Sequence, residues 1–213
     1  MPFTALTRPS LGSHGMVSPS MAGQSTTSTD APWMVEAVET LAHELRLHHA
    51  PTADHSHRLA VHARVLAEAM GLDPLDCTEA ELVAVLHDVG KLAVDPYILD
   101  WPGPLDEHQR ERLRRHTIEG EEMLAAIAGL EHLAAAVRAT HEAWDGSGYP
   151  DGLHGEQIPL TARIVSVVDA YDAMTSQRAY RRPLSRRQAL SRLRRGAGVQ
   201  FDPRVVGALL SIV

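Results

Sequence analysis

The stretch Ala84-Val85-Leu86-His87-Asp88-Val89-Gly90-Lys91 sets the reading of the chain. An apolar helical face runs directly into a histidine and an aspartate, and a glycine marks the helix end. On a helix His87 and Asp88 stand about 100° apart, so both can reach one metal ion from neighbouring directions. Taken alone, the same residues would equally suit a solvated helix terminus. Working outward, a helix covers about 78–88. Before it, Met34, Val35, Val38, Leu41, Ala42 and Leu45 recur at helical spacing over 33–49. A second helix follows Pro51, with Thr52 as N-cap, and runs to Met70, where Gly71 stops it. After Lys91 comes a loop holding Pro96, Pro102 and Pro104, then helices over about 106–128 and 130–142. The run from Asp145 to Gly152 (DGSGYPDG) is a turn-rich loop that no helix crosses. Three more helices are expected over 159–176, 184–195 and 203–212. No segment alternates with a two-residue period long enough for a strand, and no repeat is visible. The expected class is all-α.

Composition agrees with this class. The 213 residues are 44% hydrophobic but only 4% aromatic, so helices packed on helices are favoured over a sheet. A formal charge of −7 excludes nucleic acid as a bulk electrostatic partner. One cysteine, Cys77, excludes an internal disulfide and fits a reducing compartment. No apolar run reaches membrane-spanning length and the N-terminus lacks a signal-peptide core, so no membrane partner and a cytoplasmic location are expected. Residues 1–31 are rich in Ser, Thr, Pro and Gly without helical period. They read as a disordered tail or as misassigned upstream sequence, with one folded domain over 32–213.

Three further features bear on chemistry. Asp169 stands inside the apolar run Ile164 to Tyr171, where a carboxylate needs a cation, a metal or donors. Asp172, three residues on along the same face, is placed to orient a neighbouring ligand. Thirteen histidines are many for this length; His55, His57 and His62 share one helix, and spacing does not say which points inward. His116 and His141 open two further segments. Lys91 is the single lysine among 20 basic residues, and a lone lysine where arginine is otherwise used calls for a reason.

From about Thr52 to Pro203 the chain resembles the HD-GYP family, a branch of the HD phosphohydrolases. Six words carry the resemblance in family order: H-S-x-R at His55–Arg58, H-D-V-G-K at 87–91, I-L-x-x-P-G-P-L at 98–105, H-x-x-x-G at 116–120, D-G-S-G-Y-P at 145–150 and D-A-Y-D-A-M-T-S-x-R-x-Y at 169–180. The resemblance implies an HD-domain helical bundle with an HD-GYP C-terminal helical extension. It implies metal ligation by His55, His87, Asp88, His116, His141 and Asp169, with Asp88 bridging two divalent ions. It implies Lys91 beside the scissile phosphate, Arg178 and Arg181 on substrate phosphates, Tyr149 at the substrate and Asp172 behind the ligands. The implied activity is hydrolysis of cyclic di-GMP to linear pGpG or GMP. A compact ammonium at Lys91 then has its reason, since a planar guanidinium would not fit there. Imidazole and carboxylate ligands without thiolates suit iron or manganese.

The chain departs from the family pattern in two places. Active members carry two adjacent histidines before the Glu-x-x-Asp-Gly word, and here the first is Thr140, a poor ligand. Members with three metals have a glutamate one turn before the first histidine, and here that position is Pro51. Two ions are therefore expected, the second held more weakly. Two other readings follow: a degenerate module that binds the nucleotide or a partner such as a diguanylate cyclase, and a phosphohydrolase acting on another phosphoester. Arg186, Arg187, Arg192, Arg194 and Arg195 read as a solvated face or a partner surface.

Overall fold

A computed structural model describes residues 32–177 and 182–213. Among these residues the protein is all-α, with two isolated bridges and no strand. In chain order the helices are α1 (Pro32–His48), α2 (Ala50–Ala69), α3 (Pro74–Leu86), α4 (Pro96–Leu99), α5 (Glu107–Arg114), α6 (His116–Ala125), α7 (Glu131–Arg138), α8 (Leu160–Thr175), α9 (Arg186–Gly196) and α10 (Pro203–Ile212). Short 3₁₀ turns occupy Val89–Ala93, Ala139–His141 and Gly155–Gln157.

The centre of the fold is α2, which packs on α1, α3, α8 and α10. It buries Leu59, Ala60, Ala63, Leu66 and Ala67, and α3 answers with Ala80, Val83, Ala84 and Leu86. Small side chains on both helices let their axes approach closely, which accounts for an alanine-rich and aromatic-poor core. On the other side Ile164, Val165, Val167 and Val168 of α8 are buried in the same cluster, with Leu133, Ala136 and Val137 of α7. Burial of each such leucine or isoleucine contributes about 1.5–3 kcal/mol. No described helix is long and apolar enough to cross a membrane.

Several boundaries differ from the sequence expectation, each for a local reason. Helix α2 starts earlier, because the His49 side chain caps it by accepting from the Thr52 amide; Thr52 lies inside the helix. Helix α3 begins at Pro74 rather than Thr78, since the Asp73 carboxylate accepts from the amides of Leu75 and Asp76 and proline suits the first turn. The segment expected as one helix over 106–128 is two, α5 and α6, meeting at Arg115. There His116 Nδ1 takes the Leu113 carbonyl and Thr117 Oγ1 the Arg114 carbonyl, so side chains claim backbone acceptors at the junction. The arginines at 186, 187, 192, 194 and 195 are exposed.

Candidate metal centre

Five segments converge on one cleft. Helix α2 supplies His55, the end of α3 supplies His87 and Asp88, α6 opens on His116, the 3₁₀ turn Ala139–His141 closes on His141, and α8 carries Asp169 and Asp172. Packing of α2 on α8 sets His55 between two carboxylates: Nδ1 lies 2.8 Å from Asp172 Oδ2 and Nε2 lies 2.9 Å from Asp169 Oδ1. Convergence of α3 with α6 depends on Gly90. A Cβ there would fall 1.9 Å from the His116 carbonyl oxygen and 2.5 Å from the Gly120 nitrogen. Only glycine lets the Val89–Ala93 turn lie against α6 and bring Asp88 to His116.

Two clusters of ligating atoms result. His55, His87 and Asp88 form one, and Asp88, His116 and His141 form the other; within each, the ligating atoms lie within 4.8 Å of one another. Asp88 belongs to both, with Oδ2 3.4 Å from His87 Nε2 and Oδ1 3.5 Å from His116 Nε2. Asp169 stands beside the first cluster, with Oδ1 at 2.9 Å from His55 Nε2. Tautomers follow from the outer contacts. His87 Nδ1 is 2.8 Å from the Ala84 carbonyl and His116 Nδ1 is 2.6 Å from the Leu113 carbonyl, so both donate there and turn Nε2 inward.

Electrostatics divide the histidines. Burial holds His116 down to about 3 and His141 down to about 4, so both are neutral lone-pair carriers at pH 7. His55 behaves oppositely: burial opposes its charge, but hydrogen bonds to Asp169 and Asp172 outweigh it and raise the imidazole to about 9. Asp88 is buried, yet the neighbouring His87 and the Lys91 ammonium hold its carboxyl well below the usual range.

A cation suits this arrangement. Asp88 Oδ1, His116 Nε2 and His141 Nε2 are buried, with no hydrogen-bond partner. Each such atom costs about 1–3 kcal/mol if left unmet, and three of them face one volume. The donor set of imidazoles and one shared carboxylate fits a divalent first-row ion, and the site holds candidate ligands for such metals.

Around the clusters opens a cleft of about 890 Å³, lined among others by His55, Asp88, Lys91, His141, Asp169 and Asp172. Lys91 Nζ donates to Asp88 Oδ2 at 2.7 Å while its side chain stays 20% exposed. Asp169 keeps 27% exposure toward the same opening. Tyr149 stacks on His141, with ring centroids 5.2 Å apart and planes within 9°, and the Arg114 guanidinium lies 5.1 Å over its other face. Thr140 is buried and turns its hydroxyl to the Val137 carbonyl at 2.9 Å; it belongs to neither cluster. His57 is exposed on the far side of α2 and His62 is likewise exposed. Arg178 and Arg181 lie outside the described residues.

Sequence reasoning missed several contributors. Glu142 is buried and accepts the amides of Asp151 at 2.7 Å and Gly152 at 3.1 Å, closing the 145–152 loop that carries Tyr149. Gly148 of that loop lies so close that a Cβ would meet the Ala143 nitrogen at 2.2 Å. Arg58 and Ser176 both donate to Asp172, fixing the carboxylate that holds His55. Arg58 stands inside a quoted word, three residues beyond His55, and that was its signal. Glu142 follows the last histidine directly, but nothing local tells a buried loop anchor from a surface glutamate.

Comparison with known proteins gives the family. A family model described as "HD domain" matches residues 39–205. The chain belongs to the HD domain family, in its HD-GYP branch. It is 39% identical over 177 residues to the "Cyclic di-GMP phosphodiesterase response regulator RpfG" of Xanthomonas campestris pv. campestris, covering 82% of this chain and 47% of that protein. It is 35% identical over 158 residues to "3'3'-cGAMP-specific phosphodiesterase 3" of Vibrio cholerae, covering 74% of this chain and 34% of the other. Among solved structures, a cyclic GMP-AMP phosphodiesterase of V. cholerae (V-cGAP3) shares the fold with a TM-score of 0.62 at 17% identity, over 83% of this chain and 48% of that one. The chain thus spans half or less of the length of these curated relatives.

Proposed function

We propose that this chain is a metal-dependent phosphodiesterase that hydrolyses cyclic di-GMP to linear pGpG or GMP. The single observation that carries the reading is the pair of ligand clusters sharing Asp88 at the floor of a cleft that also exposes Lys91. Two divalent ions, iron or manganese, suit it: one on His55, His87, Asp88 and Asp169, the other on Asp88, His116 and His141. When bound, such ions supply Lewis acidity and lower the pKa of water.

The residues of the chain do the rest. Neutral His116 and His141 present lone pairs without a deprotonation step. Asp172 holds the His55 ring through Nδ1, so Nε2 keeps its aim at the centre. Lys91, anchored on Asp88, donates to a non-bridging phosphoryl oxygen and offsets the charge that grows there. In the reaction a water oxygen bonds to phosphorus, the bond from phosphorus to the ribose 3′-oxygen breaks, and a proton passes to that departing oxygen. Both relatives named above act, by their names, on cyclic dinucleotides with at least one guanine.

One observation favours a second reading, a module that binds the nucleotide or a diguanylate cyclase without efficient turnover: Thr140 gives its hydroxyl to the helix, so among the described residues the second cluster draws its candidate ligands from Asp88, His116 and His141. Turnover of cyclic di-GMP by protein loaded anaerobically with Fe(II) or Mn(II), with metal counted per chain, separates the two. Absence of hydrolysis at full occupancy overturns the enzyme reading. Restoration of rate and metal content by Thr140→His would locate the defect.

A further inference from the structure

The end of helix α4 and the residues after it line the same cleft, and no part of the hydrolytic machinery accounts for them. Leu99, Asp100 and Trp101 stand there with His49. The Trp101 indole is half-buried and braced by the Tyr97 ring, which meets it edge-on with centroids 5.1 Å apart. Asp100 is braced as well. His49 Nδ1 accepts from the Thr52 amide at 3.3 Å, so the ring proton sits on Nε2, which donates to Asp100 Oδ1 at 3.2 Å. The capping histidine of α2 therefore fixes one carboxylate oxygen. The side chain stays 72% exposed, and among the described residues no other donor reaches Asp100.

Resting on the phosphodiesterase reading above, we propose that Asp100 and Trp101 form a base subsite that selects one guanine of a cyclic dinucleotide. A flat aromatic face takes a purine by stacking, and a carboxylate beside it accepts from the guanine N1–H and exocyclic amine. Adenine presents a lone pair at N1 to the same carboxylate and is repelled. An acidic group in a cleft built for an anionic ligand is otherwise a liability; toward the donor edge of guanine it is an asset. A single such subsite accepts cyclic di-GMP and 3′,3′-cyclic GMP-AMP and rejects cyclic di-AMP.

The test measures calorimetric binding of hydrolysis-resistant phosphorothioate analogues of the three dinucleotides to the full, Mn(II)-loaded chain, alongside hydrolysis of the natural compounds. Wild type should bind the two guanine-containing analogues alike and the adenine one at least about tenfold more weakly. Trp101→Leu should weaken the cyclic di-GMP analogue about tenfold, and Trp101→Phe, which keeps a ring, should restore most of it. Asp100→Asn should bring guanine and adenine ligands within about threefold of each other. Equal affinity of Trp101→Leu and wild type, or selectivity surviving in Asp100→Asn, overturns the subsite. Hydrolysis of cyclic di-GMP with an indifferent Trp101→Leu sinks the subsite alone. Trp101-dependent binding without hydrolysis at full metal content sinks the phosphodiesterase reading alone, and absence of both binding and hydrolysis sinks the two together.

Discussion

His55 Nε2 and Asp169 Oδ1 stand 2.9 Å apart across 114 residues of sequence, with a proton between them in the metal-free protein. A divalent ion bound by both atoms must replace that proton. Because the His55 imidazole is raised to about 9, the proton is present throughout the neutral range. Metal affinity should therefore strengthen by about tenfold per pH unit on going from pH 6 to pH 8, and level off above about 9. Calorimetry in buffers of different ionisation enthalpy should find close to one proton released at pH 7 for the ion bound at His55, and none for the ion held by neutral His116 and His141. A pH-independent affinity would contradict the pairing.

Lys91 and Asp88 should separate in their effects. Lys91→Ala is expected to lower cyclic di-GMP turnover by about 100-fold or more while metal content stays at the wild-type value. Asp88→Asn removes the carboxylate shared by both clusters and should strip metal from each, seen as a loss of metal per chain by elemental analysis. If Lys91→Ala also lost its metal, the ammonium would be part of the ligand framework and its assigned role wrong.

Gly90→Ala places a methyl carbon 1.9 Å from a backbone oxygen that has no flexible end to move. The expected cost is about 3 kcal/mol, the upper range for overpacking, and about 6–12 °C in Tm for a chain of this size. Metal affinity should fall in parallel, because the turn bearing Asp88 must shift from α6. A melting curve that matched wild type would show that the two segments yield more readily than their contact suggests.

Glu142→Ala should free the loop over 145–152 without unfolding the bundle. Two hydrogen bonds to backbone amides are lost, about 2 kcal/mol of local stability. Hydrogen exchange at the amides of Asp151 and Gly152 should speed up by at least tenfold, with the core amides of α2 unaffected. Tyr149, which packs on His141 from this loop, would then lose its fixed stacking distance.

Asp202 gives a pH dependence of stability whose sign is set by its surroundings. Burial works against its ionised form, but Arg163 and the Arg204 amide outweigh this and lower its pKa below the usual value. Its contribution is present above the ordinary carboxylate range near 4 and is lost as pH falls through the depressed value. Arg163→Met should flatten the acid limb of a stability–pH curve and destabilise the fold at pH 7, since it leaves the buried carboxylate with Arg204 as its remaining partner.

Much of the fold could be read locally. The helices α1, α2, α8, α9 and α10 carry their own apolar periods and stops, and the all-α class followed from them. His55, His87, Asp88, His116, His141 and Asp169 stood out because each interrupts an apolar run or opens a motif word. What escaped was set by partners distant in sequence or by unusual caps. The break at Arg115 has no glycine or proline to announce it; carbonyls claimed by His116 and Thr117 make it. A histidine is an uncommon N-cap, so His49 yielded to Thr52 in a reading by propensity. The pair Arg163–Asp202 spans 39 residues, and no local pattern reports that each is the other's counter-charge.

That pair has a practical reach. Arg163 also lies 5.8 Å over the Trp144 ring, and the amides of Trp144 and Asp145 donate to the carbonyls of Gln200 and Val199. The segment from Val199 to Asp202 is thus a strap across the back of the loop that follows His141. Any excision of this domain for grafting or fusion has to carry the chain through α10. A cut made before Val199 would keep every candidate metal ligand and still unbuckle the loop that follows one of them.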